Sequence, residues 1–234
     1  MKHKQSGFTL IEIAIVLVII GLLLGGVLKG QELINSARVK NLANDFRNIP
    51  VFIYGYQDKF KALPGDDRNV GDHLGGICVN GTAGDPTTSP CYATTGPVGN
   101  GVINGMWDSQ TLTDESIRFW QHVRVAGLAS GETVPNLTTY IPANAVGGII
   151  GVTNGTAANL PITGLQGSYI ICSGSILGKF AKQLDTTMDD GNPATGSMRI
   201  MDEPAAHPAA PGALAIANVG LVLDASPYTV CMGI

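Results

Sequence analysis

The 234-residue sequence predicts an α+β protein in which a long N-terminal helix packs on a C-terminal antiparallel β-sheet. A long apolar run, 8–28, follows the first seven residues, and apolar residues spaced three and four apart continue to Leu63, which is the spacing of one helix face. Short runs typical of β-strands follow in the second half, where turn-forming Gly and Pro residues separate them. These observations predict a helical N-terminal region followed by a sheet-containing region.

Composition excludes several classes of function. The net charge is −4 and no basic cluster is interleaved with aromatic residues, so a nucleic-acid partner is not expected. The four cysteines include no CxxC pair, which argues against a zinc or thioredoxin-like site. His73, His122 and His207 stand singly and no GxSxG elbow occurs, so no catalytic residue and no cofactor is predicted.

The N-terminus combines a short basic segment, 1–7, with the apolar run 8–28. At about 1.5 Å per residue a helix over this run spans the roughly 30 Å hydrocarbon layer of a bilayer. Lys2 and Lys4 precede the run and favour a cytoplasmic N-terminus. No Ala-x-Ala site closes it, which argues against a cleaved secretory signal.

Glu12 lies near the start of the apolar run. A carboxylate inside a bilayer costs roughly 2.5–3.5 kcal/mol on insertion scales, so such a residue is a functional candidate. The alternative is that Glu12 sits at the level of the lipid headgroups, where this cost fades.

The string Gly7-Phe8-Thr9-Leu10-Ile11-Glu12, after a basic leader and before an apolar helix, resembles the processing signal of type IV prepilins and pseudopilins. The resemblance implies that a prepilin peptidase cleaves between Gly7 and Phe8 and that Phe8 becomes N-methylated. It also implies that Glu12 acts in filament assembly, and that the partners are the inner-membrane assembly machinery and other pilin copies.

The sequence then divides into a cleaved leader, 1–7, a membrane-spanning and filament-core helix, 8–28, an amphipathic continuation, 29–63, and a pilin-like head, 64–234. Pro50 should kink the helix because it lacks an amide donor. The apolar stripe of the continuation consists of Leu42, Phe46, Ile49, Ile53, Tyr56, Phe60 and Leu63. Leu63-Pro64-Gly65-Asp66 should end the helix.

Within the head, a long irregular connection is predicted over 66–108, because this segment is rich in Gly, Thr, Pro, Asn and Asp without a sustained period. Helices are predicted over 114–128 and 175–188. An antiparallel sheet of four or five strands is predicted from runs at 146–152, 168–172, 198–201, 214–222 and 228–231.

An exported head would favour two disulfides, because oxidising compartments maintain them. Cys78 and Cys91 lie in the long connection, and Cys172 and Cys231 lie in two predicted strands. Pairing within each of these couples is one of the three connectivities that four cysteines allow.

Asp189 and Asp190, followed by Gly191 and Asn192, are interpreted as a turn. They also resemble oxygen-rich calcium loops, and some pseudopilins hold calcium in the head, but EF-hand spacing is absent, so a metal is the weaker interpretation. Triplets at Asn80, Asn136 and Asn154 match the N-glycosylation pattern, which is common by chance in loops rich in Asn and Thr.

Three further strings, Leu63–Asp66, Phe119–His122 and Asp189–Gly191, resemble recurring features of larger prepilin-type proteins. The sequence therefore predicts a pilin that is stored as a single-pass inner-membrane protein, with a periplasmic head, and is then assembled into an extracellular filament. The alternatives are a minor pilin that binds through the 66–108 connection, a pseudopilin of type II secretion that forms a periplasmic pseudopilus, and, in a different class, a membrane-tethered enzyme.

Overall fold

The computed structural model describes residues 10–78, 89–135, 140–156 and 158–234. The chain divides into two compact units, Met1–Arg38 and Val39–Ile234. A long helix begins in the first unit and ends in the second, and all the β-strands belong to the second. The predicted α+β class is thereby confirmed.

The long helix, α1, spans Leu10–Phe60 and continues through Pro50. A proline removes one amide donor and crowds the preceding turn. The residues on both sides of Pro50 are nevertheless helical, and Ile49 and Ile53 are buried. The helix ends three residues earlier than the predicted boundary at Leu63, because Lys61 adopts a left-handed backbone conformation with φ +54°.

The C-terminal part of α1 buries one face. Its buried residues are Val39, Leu42, Ala43, Phe46, Ile49, Ile53 and Tyr56. Most of them share the main hydrophobic core with sheet residues such as Val152, Ile171 and Val230. Full burial of an aliphatic or aromatic side chain contributes about 1.5–3 kcal/mol, so this face fixes the helix on the sheet. The predicted apolar stripe is the face that packs.

The sheet has four antiparallel strands in the order β1-β2-β4-β3. They are β1 Ile150–Asn154, β2 Tyr169–Leu177, β3 Met198–Asp202 and β4 Pro227–Gly233. Four of the five predicted runs are therefore strands. Two short helices, α2 Val70–Leu74 and α3 Glu115–Val125, precede the sheet, and α4 Gly178–Met188 joins β2 to β3.

The predicted strand at 214–222 is wrong. This segment is irregular and contains a 3₁₀ turn at Val219–Leu221, with Leu214 and Leu221 exposed. Its backbone contributes the hydrogen bond from Ile216 N to Ile200 O (2.9 Å) beside β3 and then turns away. Its apolar residues had suggested a strand, but the segment does not pair along the sheet.

The predicted start of the helix at 175 is also wrong, because β2 continues to Leu177. Ser175 adopts a left-handed conformation with φ +58°, and the pairing of β2 with β4 shifts between Ser173 and Ile176. An irregularity of this kind inserts extra backbone into one strand and lets the strand continue. The helix α4 therefore begins at Gly178.

Two disulfides are present, Cys78–Cys91 and Cys172–Cys231. Cys172 lies directly opposite Cys231 in the β2–β4 ladder, so the second bridge joins two neighbouring strands. The first bridge closes part of the long connection after α2. Because four cysteines allow three pairings, the structure selects one that the sequence had left open.

Candidate processing and assembly segment

The N-terminal part of α1 exposes its apolar side chains. From Leu10 to Ile34, every Leu, Ile and Val side chain is 46–92% exposed. Among the described residues, α1 is long and apolar enough to cross a membrane, judged by length and composition. An apolar surface of this extent marks a site that contacts lipid or other protein.

Glu12 lies in the first turn of α1 and is exposed among these apolar residues. The next charged residues are Lys29 and Glu32, whose side chains form an exposed ion pair at 2.7 Å. The apolar part of the helix is thus bounded by a carboxylate at one end and an ion pair at the other.

The predicted cleavage site, Gly7–Phe8, lies outside the described residues. Its position relative to Glu12 follows from the sequence alone, because Phe8 is four residues before Glu12.

The end of α1 is fixed to α3 by a buried histidine. The amide N–H of Gly65 donates to His122 Nδ1 at 2.9 Å, so Nδ1 is unprotonated, and Nε2 then donates to the carbonyl oxygen of Cys91 at 2.9 Å. Burial lowers the pKa of His122 to about 4, and the ring is therefore neutral near pH 7. One side chain thereby connects the end of α1, α3 and the first disulfide.

A buried carboxylate, Asp66, organises the long connection. Its oxygens accept hydrogen bonds from the backbone N–H groups of Gly99, Asn100 (3.2 Å) and Gly101 (2.6 Å). Three amide donors hold the segment 99–101 against the end of α1. The connection that the sequence predicted as irregular is therefore tied down at this point.

Glu115, the first residue of α3, is fully buried beside Asp66. Its Oε2 accepts hydrogen bonds from the backbone and side-chain nitrogens of Asn104, at 2.6 and 3.0 Å. Burial raises the pKa of Glu115 to about 8, and the nearby Asp66 adds to that rise. Near neutral pH the Glu115 carboxyl group therefore holds its proton.

Asp67 completes this buried polar cluster. Its Oδ2 accepts the Tyr56 hydroxyl at 2.7 Å and lies 2.7 Å from His73 Nδ1. Burial and the Asp67 charge raise the pKa of Tyr56 above its ordinary value. These partners hold α1, α2 and the helix-ending turn in one arrangement, so the cluster acts structurally.

The other predicted candidates belong to the second unit. Asp189 and Asp190 form a turn after α4, in which Asp190 accepts from Asn192 N at 2.9 Å and Thr195 Oγ1 at 2.6 Å. Sequence reasoning missed Asp185, whose spacing of four from Asp189 places both on one side of a helix end.

The glycosylation triplet that begins at Asn154 forms hydrogen bonds within the protein. Asn154 is buried in β1, and its Nδ2 donates to the carbonyl oxygen of Ile103 at 2.6 Å. This side chain is therefore inaccessible for modification in the folded protein. Asn80 and Asn136 lie outside the described residues.

Residues 2–28 match the family described as prokaryotic N-terminal methylation motif. The match covers most of the predicted leader and the apolar run 8–28, and it confirms the N-terminal methylation signal that the sequence predicted. The chain shows no match to a curated protein or to a solved structure.

Proposed function

We propose that this chain is a prepilin whose mature form is a structural subunit of a type IV pilus-like filament. One observation supports the proposal: the N-terminal methylation motif at 2–28 leads into one continuous helix. The N-terminal part of this helix is apolar and exposed, and its C-terminal part packs within a folded α+β unit. A prepilin peptidase cleaves after Gly7, and Phe8 becomes the N-methylated first residue.

Before assembly the mature chain is a single-pass inner-membrane protein. Before cleavage, Lys2 and Lys4 of the leader set the N-terminus on the cytoplasmic side, and the mature chain keeps this orientation. The exposed residues between Leu10 and Ile34 contact lipid, and the head lies in the periplasm. The periplasm is oxidising, and this agrees with the two disulfides.

In the filament the same apolar surface is buried against other copies. The contacts are heterologous, because a repeated head-to-tail contact that does not close generates a helix. The proposal assigns the chain no catalytic step, and its partners are the peptidase, the assembly machinery and other pilins.

Cleavage gives Phe8 an amino group four residues before Glu12. The Glu12 carboxylate of one subunit pairs with this ammonium on a neighbour. Two unit charges 4 Å apart attract by about 4 kcal/mol at an effective dielectric of 20, before desolvation is subtracted. The main effect of this pair is to fix the axial register of neighbouring subunits, since only one stagger between them pairs the Glu12 carboxylate with the Phe8 ammonium.

The test is peptide mass spectrometry of the N-terminus in two fractions, filaments sheared from source cells and the membranes left behind. We expect a peptide beginning at N-methylated Phe8 in the sheared filaments. The same peptide found in membranes alone favours a pseudopilin or a scarce adhesive minor pilin. An intact leader beginning at Met1 in both fractions would contradict the proposal.

A further inference from the structure

The strand β4 lies inside the sheet, although it follows both of its neighbours in the chain. It pairs with β2 on one side and with β3 on the other. Adjacent strands are about 4.8 Å apart, so β2 and β3 are about 10 Å apart, and β4 fills the space between them. We call this space the strand slot, and its two walls are β2 and β3.

Each wall of the strand slot has partners other than β4. Five residue pairs join β2 to β1. On the outer edge of β3, Ile200 N donates to Pro193 O at 3.0 Å and Ile200 O accepts Ile216 N at 2.9 Å. At the start of β3, Met198 N donates to Asp189 Oδ2 at 2.8 Å. Both walls therefore have attachments that do not depend on β4.

The side chains of β4 fit the strand slot in one register only. Those that enter the main hydrophobic core are Tyr228, Val230 and Met232. Cys231 points to the other face of the sheet, where it joins a second cluster around Trp107. Because a shift by one residue would reverse the two faces, Cys231 is opposite Cys172 only in this register. The Cys172–Cys231 disulfide therefore records correct insertion of β4.

The connection that leads into β4, 203–226, is long, whereas antiparallel neighbours can be joined by a hairpin of two residues. Its last residues contact α4: Ser226 O accepts Gly178 N at 2.9 Å, and Asp224 Oδ1 lies 2.5 Å from Lys182 Nζ. The segment 224–234 thus makes contacts with α4 in addition to those of β4. A long connection gives β4 the reach to enter the strand slot after α4 and β3 have formed.

We propose that β4 fills the strand slot after both walls are in place, and that the slot accepts the segment 224–234 of a second copy of this chain when its own β4 is disabled. An unfilled slot presents two strand edges with unpaired backbone groups, and such edges accept an extended segment. In strand addition, main-chain hydrogen bonds supply affinity and alternate side chains supply specificity. The inference concerns folding of the second unit and does not depend on the proposed filament function.

The test uses the full-length chain with Val230→Pro, refolded in detergent in a glutathione redox buffer. Val230 is opposite Ser173 in β2 and Ile200 in β3, and proline in a central strand cannot donate to the ladder, so this change disables the chain's own β4. The probe is a synthetic peptide with the wild-type sequence of 224–234. We expect a disulfide between the peptide's cysteine and Cys172 of the chain, located by peptide mass spectrometry, and recovery of protease resistance.

The control peptide carries Val230→Cys together with Cys231→Val, which keeps the composition and moves the thiol to the opposite face. Its capture at Cys172 should be at least tenfold lower. Without peptide, the Val230→Pro chain should not form the Cys172–Cys231 bridge and should be digested faster than the wild type. Equal capture of the two peptides, no capture of either, or a wild-type level of the bridge in the Val230→Pro chain overturns the proposal.

Discussion

Glu115 and Asp66 place two carboxyl groups at one buried site beneath the end of α1. Asp66 is stabilised by three backbone N–H donors, and Glu115 accepts from Asn104. Two buried negative charges side by side are unfavourable. The raised pKa of Glu115 means that Glu115 is the group that keeps a proton near neutral pH. The arrangement makes the stability of the fold dependent on pH.

We expect Glu115→Gln to stabilise the protein increasingly as pH rises. The pKa of Glu115 is about 8 in the folded protein and 4.5 in the unfolded chain. Its stabilising contribution to the free energy of unfolding is therefore fully present below pH 4.5 and is lost as the pH rises through 8. Glutamine is neutral at every pH, so the variant does not lose this stabilising contribution as the pH rises. At about 1.4 kcal/mol per pKa unit, the difference at pH 8 should be on the order of a few kcal/mol.

The measurement is urea unfolding of both proteins at several pH values between 4.5 and 8.5. His122 acts in the opposite direction, because its lowered pKa of about 4 makes it lose stability as pH falls below 6.5. Both proteins contain His122, so its effect cancels in the difference between their free energies of unfolding. A difference that stays constant across this pH range would show that Glu115 does not titrate as proposed.

At the scale of elements, the long helix and four strands were predictable because each has a local signal. The helix shows an apolar stripe, and the strands show short apolar runs between turns. The run at 214–222 has the same local signal but does not pair along the sheet, and pairing is a long-range property. The start of α4 was misplaced because the irregularity at Ser175 depends on β4.

The candidate sites show the same limit. The methylation motif is contiguous, so the sequence predicted it fully. Asp66 meets 99–101 and Gly65 meets His122 only after folding, across separations of 33–35 and 57 residues. Asp185 was missed because its burial and lack of partners are visible only in the packed structure.

Gly65, in the turn after α1, offers a test of how α1 and α3 are joined. Its φ is +91°, and a Cβ there would clash with the carbonyl oxygen of Glu115 and lie 3.2 Å from Phe119 N. Both are backbone atoms of α3, which cannot rotate away. Gly65→Ala should therefore lower the free energy of unfolding through both strain and collision.

The matched control is Gly75→Ala, which also has a positive φ (+60°) but has open space around its Cβ position. Strain alone costs on the order of 1–3 kcal/mol. We expect Gly65→Ala to lose about 2 kcal/mol more than this control, measured from urea unfolding midpoints and slopes. Equal losses would mean that α3 moves to accept the new side chain.

At the scale of the whole molecule, the same apolar helix surface has to suit two surroundings under the proposed function. Lipid and packed neighbouring helices both bury apolar side chains, so the residues between Leu10 and Ile34 fit either one. A charged group distinguishes the two, because a neighbouring subunit can supply an opposite charge to Glu12 and lipid hydrocarbon supplies none. Glu12 should therefore matter more for assembly than for membrane insertion.

We expect Glu12→Gln to be inserted and processed normally but to reduce the yield of sheared filaments at least tenfold. Glutamine keeps the size of the side chain and removes the charge that pairs with the Phe8 ammonium of a neighbour, so an unpaired ammonium is left in an apolar core. The control is Glu32→Gln, because Glu32 is an exposed carboxylate on the same helix beyond the apolar run. It should assemble at the wild-type level. Quantifying the mature chain in membranes and in sheared filaments separates processing from assembly, and wild-type filament yields from Glu12→Gln would remove the assigned role of Glu12 in register.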